Sequence, residues 1–130
     1  MNFIRKILNL ALKSTGEIGE DEAVRFLKKA GFKILERNFS CKSGELDVIA
    51  EDGDAVVFVE VKTRSSTSHG RASEFVDSKK QERIIKTAYV YLQGEYGDDL
   101  PHVRFDIVEV YKDGDKYSCE IIKDAFGAEW

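Results

Sequence analysis

Cysteine is scarce in this chain, which has only Cys41 and Cys119, far apart in the sequence. Neither belongs to a CxxC motif or a Cys/His cluster, and no secretory signal is visible. The sequence therefore predicts free thiols in a cytoplasmic protein and gives no support to a disulfide framework or a zinc site. No apolar run is long enough to span a membrane. Repeats, linkers and a second domain are also missing, and 130 residues suit one domain with its own core.

The first thirteen residues are basic and amphipathic. Their apolar run is short for a signal peptide and lacks a convincing cleavage site. We interpret residues 1–13 as an N-terminal arm, either mobile or docked on the domain or on a partner, and expect residues 14–130 to form a single domain. Membrane-surface binding is the less favoured reading of the arm.

Net positive charge is also missing, because the formal charge is −4. That value counts against a simple nucleic-acid coat protein. The charge is unevenly distributed, however, and residues 62–86 are locally basic, because they carry seven basic and three acidic side chains. Basic side chains at a helix N-terminus suit a bound phosphate. The residues predicted to hold phosphates are Arg64, Arg71, Lys79, Lys80 and Arg83.

Two apolar, β-branched runs flank the pair Asp52-Gly53, which predicts an antiparallel hairpin with its turn centred on that pair. The register that follows pairs Ala50 with Ala55, Ile49 with Val56, Asp47 with Phe58 and Glu45 with Glu60. Because side chains alternate along a strand, three faces are defined. They are Glu45, Asp47 and Ile49; Leu46, Val48 and Ala50; and, on the second strand, Val56, Phe58, Glu60 and Lys62.

Carboxylates gathered on one sheet face repel each other and lose hydration, so something should compensate. A hard divalent cation would do so. We expect Asp47, Glu60 and the Val61 carbonyl to bind it, with Glu20 and Glu45 completing the site. The alternative is an ordinary solvated hairpin face. It is the weaker reading, because residues 56–59 are apolar on both faces and so predict a covered central strand.

Lys62 shares the face of Glu60 and only donates hydrogen bonds, so it can reach the same volume without competing for the metal. It would orient the attacking water or stabilise transition-state charge. The alternative is that it merely neutralises Glu45 and Glu60.

Two helices are predicted. The first covers residues 15–30, with a capping box at Ser14 to Glu17 and a C-cap at Gly31. Glu20 lies on its inner stripe, either as a site residue or because the helix dipole favours a carboxylate there. The second helix covers residues 77–92 and ends near Gly94. Its Gln81 has either a site role or a capping role with Ser78.

The remaining segments predict a first strand at residues 32–39 and a second hairpin at 103–111 and 117–123. Residues 65–76 are polar and predict a mobile loop that could cover the site, with His69 as a bystander. Asp106 is interpreted as structural, paired with Arg104. This element order predicts a mixed β-sheet with helices on its faces, an α/β or α+β domain.

Asp47, a hairpin and then Glu60-Val61-Lys62 resemble the PD-(D/E)xK signature of restriction-endonuclease-like nucleases, with Leu46 where a proline is expected. More closely, residues 15–127 resemble the bacterial YraN-like family. The motifs that carry this resemblance are Gly19-Glu20-Asp21-Glu22-Ala23, residues 31–38, Gly44-Glu45-Leu46-Asp47, Val57 to Arg64, Arg104-Phe105-Asp106 and Asp124-Ala125-Phe126. That family is related in pattern to archaeal Holliday-junction resolvases.

The resemblance implies a restriction-endonuclease-like αβββαβ core and a metal-dependent endonuclease that hydrolyses DNA phosphodiester bonds, with branched DNA as a candidate substrate. It also implies Mg²⁺ or Mn²⁺ as cofactor and matches Glu20 to a first-helix acidic site residue. The catalytic set is then Asp47, Glu60, Lys62, Glu20 and Gln81. Two alternatives stay open: a nucleic-acid-binding accessory protein that does not cut, and a protein-interaction domain. A homodimer also stays open.

Overall fold

The computed structural model describes residue 4 and the ranges 13–65 and 76–128. Most of the predicted arm, and His69 and Arg71 of the predicted loop, lie outside these residues. The described elements are α1 (Thr15–Lys29), β1 (Lys33–Cys41), β2 (Gly44–Asp52), β3 (Ala55–Ser65), α2 (Ser78–Tyr96), β4 (His102–Asp113) and β5 (Lys116–Phe126). Their order is the predicted one.

The strands form one sheet in the order β1-β2-β3-β4-β5. All neighbours are antiparallel except β3 and β4, which are parallel. Helix α2 is the crossover between those two strands, as a parallel pair requires. The predicted mixed sheet with helices, an α+β domain, is thereby confirmed.

The helices cover opposite faces of the sheet. Helix α1 packs on the face that contains Val57 and Val59, whereas α2 packs on the face that contains Phe58 and Phe105. Both faces of β3 are therefore buried over residues 56–59, and the prediction of a covered central strand is confirmed. None of the described helices combines the length and the apolar character needed to cross a membrane.

The start of α1 agrees with the sequence, whereas its end and both ends of α2 differ. Helix α1 ends at Lys29 with Ala30 as its C-cap, one residue before the predicted cap at Gly31. The Ser14 hydroxyl accepts a hydrogen bond from the Glu17 N–H at 3.1 Å, as the capping box predicts. At α2 the cap is Asp77, whose carboxylate accepts from the Lys80 N–H at 2.9 Å, so the predicted cap at Ser78 is wrong. The helix also continues past Gly94 to Tyr96. A glycine inside a helix costs about 1 kcal/mol, and packing of Tyr96 on the core offsets that cost.

Strand β1 continues two residues beyond its predicted end, to Cys41, and β4 and β5 are longer than predicted. The register of the first hairpin is also corrected. Asp52 pairs with Ala55, Ile49 with Phe58 and Val48 with Val59, which is two residues away from the predicted pairing. The loop is Gly53-Asp54, and Gly53 has the positive φ of 62° that primed turns require.

Asp106 is structural, as predicted, and is completely buried. The Arg104 guanidinium donates to both of its oxygens, at 2.8 and 2.7 Å, and also to Asp52 at 2.9 Å. The Asp124 N–H donates to Asp106 at 2.9 Å. These bonds fix the start of β4 against β5, at the irregularity in their pairing between Phe105 and Ile107.

We expect Asp106→Ala to lower the free energy of unfolding by about 3–5 kcal/mol, because it leaves the Arg104 charge without its buried partner. Urea unfolding measures this change. Asp52→Ala is the matched control, because it removes the partly exposed partner of the same guanidinium and should cost about 1 kcal/mol or less. A loss below 1 kcal/mol for Asp106→Ala would show that this pair does not stabilise the fold.

Candidate nuclease site

The candidate site lies where β2 and β3 separate. Their ladder pairing ends at Val48 and Val59, so Asp47 and Glu60 are the next residues on either strand. The strict alternation predicted for β2 is wrong here, since Leu46 packs with Ile49 under α2 while Val48 packs under α1. Asn38 lies on β1, opposite Asp47 of β2. Its φ is 54°, a backbone conformation that Asn tolerates better than most residues.

Asp47 connects the two separating strands through its side chain. Its Oδ2 atom accepts a hydrogen bond from the Val61 N–H at 2.9 Å. Burial, and next the charge of Glu60, raise the pKa of Asp47 to about 7, against the opposing effects of the Val61 N–H and the Lys80 ammonium. The fold thus holds two carboxylates closer together, and drier, than their charges favour near neutral pH.

Glu60 is buried, with 8% of its side chain exposed, and its Oε1 atom lies 2.8 Å from the Nζ atom of Lys80. That hydrogen bond raises the pKa of Lys80. The sequence predicted Lys80 as a phosphate ligand, whereas the structure places it against a candidate metal ligand.

Glu20 of α1 and Glu45 of β2 line a cavity that also contains Asp47. The cavity has a volume of about 540 Å³ and is lined by Glu20, Glu45, Asp47, Val61 and Thr63, together with residues 14–17 at the start of α1 and Asn38. Glu20 accepts hydrogen bonds from Arg37 at 3.1 Å and Asn38 at 3.0 Å, and Glu45 is exposed at the rim. Three of the four predicted acidic residues therefore line one cavity, whereas Glu60 is not among its lining residues.

Gly19 allows this approach, and sequence reasoning missed it. A Cβ atom at Gly19 would lie 1.9 Å from the Thr63 Oγ1 atom. A larger residue would require α1 or the Thr63 side chain to shift, so the glycine lets α1 sit close enough to β3 for the neighbouring Glu20 to line the cavity. The available signal was a glycine inside the helix directly before the candidate acid.

Lys62 lies on β3, two residues beyond Glu60 and opposite Glu109 of β4. From the sequence the direction of its pKa shift was open. In the structure, burial first, and then the charges of Arg64 and Lys80, lower the pKa of Lys62 against the opposing charges of Glu109 and Glu60. The ammonium is thus partly dehydrated beside the candidate metal ligands.

Glu109 is a second residue that sequence reasoning missed. It is 2% exposed and accepts a hydrogen bond from the Tyr111 hydroxyl. The Nε atom of Arg64 lies 3.4 Å from it, and only 13% of the Arg64 side chain is exposed. This position leaves little of the Arg64 guanidinium for the phosphate contact predicted from the sequence. Glu109 lies beside Lys62 and Arg64 because β3 and β4 pair in parallel. The sequence does not reveal that pairing.

The other predicted residues divide into two groups. Gln81 has a structural contact, since its Nε2 atom donates to the Val76 carbonyl at 2.8 Å. Lys79 and Arg83 are exposed on α2, where a phosphate can reach them. Cys41 and Cys119 are both free thiols, as predicted.

Within the described ranges, no three His, Cys, Asp or Glu side chains are already clustered as a metal site. The donors nevertheless fit a hard cation in chemical type, because carboxylate and carbonyl oxygens are what Mg²⁺ and Mn²⁺ prefer. Asp47 and Glu60 also lie on adjoining strands, close enough for the charge of Glu60 to raise the pKa of Asp47.

The model of the "Uncharacterised protein family UPF0102" matches residues 19–110. The chain belongs to the UPF0102 family. A UPF0102 protein of Caldanaerobacter subterraneus is 45% identical over 117 residues, covering 89% of this chain and 94% of the relative. One from Clostridium perfringens is 46% identical, with coverages of 88% and 94%. One from Syntrophus aciditrophicus is 46% identical, with coverages of 86% and 87%.

UPF0102 is the YraN family, so the resemblance predicted from the motifs is confirmed. The matched residues contain every described candidate of the site, from Glu20 to Glu109. Among solved structures, one described as "Structure of EndoMS-dsDNA2 complex" is 21% identical, with a TM-score of 0.35, over 72% of this chain and 36% of that chain.

Proposed function

We propose that this UPF0102 protein is a divalent-metal-dependent endonuclease that hydrolyses phosphodiester bonds in DNA. One observation carries the proposal: Asp47 and Glu60 are the first residues beyond the paired part of β2 and β3, and the charge of Glu60 acts on Asp47 there, with Lys62 two residues beyond Glu60. A purely structural hairpin gains nothing from placing the charge of Glu60 where it raises the pKa of a poorly hydrated Asp47. A bound cation would compensate both charges.

Asp47, Glu60 and the Val61 carbonyl would hold Mg²⁺ or Mn²⁺, and Glu20 and Glu45 would hold its water molecules. When bound, such a cation neutralises phosphate charge and makes a water more acidic. Lys62 then orients the attacking water, or stabilises the charge that develops on the phosphate, by donating from a partly dehydrated position. Branched DNA is the proposed substrate form, on the resemblance to resolvases.

The exposed cations of α2 provide the proposed DNA contact. We expect the double variant Lys79→Ala, Arg83→Ala to weaken binding of all DNA sequences alike and to reduce the salt slope of log K by about 2, since each lost phosphate contact contributes about 1. Fluorescence anisotropy at several salt concentrations measures the slope. Lys29→Ala, an exposed lysine at the far end of α1, is the control and should leave the slope unchanged. An unchanged slope in the double variant would remove α2 from the DNA-binding surface.

Cleavage is tested with end-labelled linear, flapped and four-way DNA in Mg²⁺ or Mn²⁺, comparing the wild type with Asp47→Asn. The proposal expects metal-dependent products from the wild type and none from the variant, which also controls for contaminating nuclease. Salt-sensitive DNA binding with no cleavage of any substrate would indicate an accessory binding protein instead. If no salt-sensitive binding is found, a protein-interaction domain becomes the better reading.

A further inference from the structure

The two partners of the ion pair between Lys80 and Glu60 differ in exposure: the lysine side chain is half-exposed, whereas the carboxylate is buried. Glu60 has 8% of its side chain exposed, whereas Lys80 has 46% exposed, and the two atoms are 2.8 Å apart. A half-exposed ammonium on a long side chain can exchange between a buried partner and solvent at small cost. The buried carboxylate must instead keep some positive partner.

The backbone beneath Lys80 is fixed. Its own N–H donates to the Asp77 cap at 2.9 Å, and Gln81 ties the preceding turn to the Val76 carbonyl at 2.8 Å. Exchange of the ammonium therefore needs only rotation about side-chain bonds, with α2 unchanged. The same helix turn presents the exposed Lys79, so a phosphate that reaches this turn lies near both lysines.

Charge makes Lys80 and a divalent cation competitors. Asp47 and Glu60 together offer at most two negative charges, and the Lys80 ammonium already compensates one of them. A cation held by the same carboxylates would repel that ammonium at short distance in a poorly hydrated site. The charge of Lys62 adds to this repulsion, since Lys80 is near enough for its charge to lower the pKa of Lys62.

We propose that Lys80 is the exchangeable counter-ion of Glu60, displaced when a divalent cation binds and then free to bind a phosphate of the nucleic acid. Metal binding and substrate binding consequently reinforce each other. This inference rests on the proposed function, because it needs a metal at Asp47 and Glu60 and a nucleic acid beside them.

The first test is Mn²⁺ binding to the full chain without DNA, measured by calorimetry. Lys80→Met should bind Mn²⁺ about tenfold more tightly than the wild type, because a competing charge in a partly screened position is removed. Lys79→Met is the matched control one residue away, because Lys79 has no ion pair with a carboxylate among the residues that the structure describes, and its Mn²⁺ affinity should match that of the wild type.

The second test is DNA affinity in EDTA and in Ca²⁺. The wild type should gain affinity on adding Ca²⁺, and Lys80→Met should lose most of that gain while matching the wild type in EDTA. By linkage, the gain in DNA affinity on adding Ca²⁺ equals the gain in Ca²⁺ affinity on adding DNA, so both gains should shrink together in Lys80→Met. Lys79→Met should lose affinity equally in EDTA and in Ca²⁺.

Two results would overturn the exchange even if the wild type binds metal and cleaves DNA. One is that Lys80→Met binds Mn²⁺ no more tightly than the wild type does. The other is that Lys80→Met loses DNA affinity equally with and without Ca²⁺. A wild type that neither binds Mn²⁺ nor cleaves DNA would overturn the proposed function, and the exchange with it. If Lys80→Met does not fold, Lys80→Gln gives the same comparison with a neutral polar side chain.

Discussion

Replacement of Lys62 by Met is expected to slow DNA cleavage by a hundredfold or more while Mn²⁺ and DNA binding are largely retained. The methionine keeps the length and the packing of the lysine stem but cannot donate a hydrogen bond or carry charge. A preorganised donor at a reacting phosphate contributes on the order of 3 kcal/mol to the transition state, and about 1.4 kcal/mol corresponds to tenfold in rate. Single-turnover cleavage at saturating protein measures the loss.

A structural role for Lys62 makes the opposite set of predictions. If Lys62 only neutralises Glu60 and Glu109, the variant will melt at a lower temperature and bind metal and DNA less well, with no selective loss of turnover. Lys29→Met, at the exposed far end of α1, is the control for a general effect of removing a lysine. The decisive quantity is thus the cleavage rate compared with the two affinities in the same protein.

Replacement of Asp47 by Asn is expected to stabilise the metal-free protein at pH 8. Burial and the charge of Glu60 raise the pKa of Asp47 to about 7 in the folded protein, from an ordinary value of 3.8. Between these two values the folded state holds more protons than the unfolded state, so wild-type stability falls as the pH rises through this window. Asn cannot ionise but can still accept from the Val61 N–H, so it avoids a cost of about 2–4 kcal/mol.

Urea unfolding at pH 4, 6 and 8 tests this expectation. The advantage of Asp47→Asn should be largest at pH 8 and nearly gone at pH 4, and added Mn²⁺ should stabilise the wild type far more than the variant. Asp21→Asn is a useful contrast, because hydrogen bonds from Lys13 and Arg37 lower the pKa of Asp21. Its substitution should lower stability at pH 8. A variant Asp47→Asn that is less stable than the wild type at pH 8 would contradict the account of Asp47.

The sequence was sufficient for the parts of the fold that depend on local pattern. The apolar run at residues 56–59 predicted a covered central strand, and Ser14 predicted the start of α1, because burial on two faces and helix capping each leave a short-range signal. The hairpin register was wrong by two residues, because Asp52-Gly53-Asp54 permits more than one turn placement and only packing decides between them.

The site was predictable in its acidic residues and not in its cations. Glu20 follows from a helix stripe, and Asp47 and Glu60 follow from the two runs that flank the predicted turn, although the strict alternation predicted for β2 fails at Leu46. The contact of Lys80 with Glu60 depends on how α2 packs against the sheet. The contact of Arg64 with Glu109 depends on the parallel pairing of β3 with β4. That is long-range information, which no local periodicity carries. The change of faces between Leu46 and Val48 lies beside Asn38 of the neighbouring strand, whose φ is 54°.

Whether Asp47 and Glu60 share one divalent cation is tested most directly by calorimetric titration of Mn²⁺ into the wild type and into the double variant Asp47→Ala, Glu60→Ala. The account predicts one Mn²⁺ site in the wild type and no detectable binding in the double variant, with both proteins folded. Unchanged Mn²⁺ affinity in the double variant would contradict it.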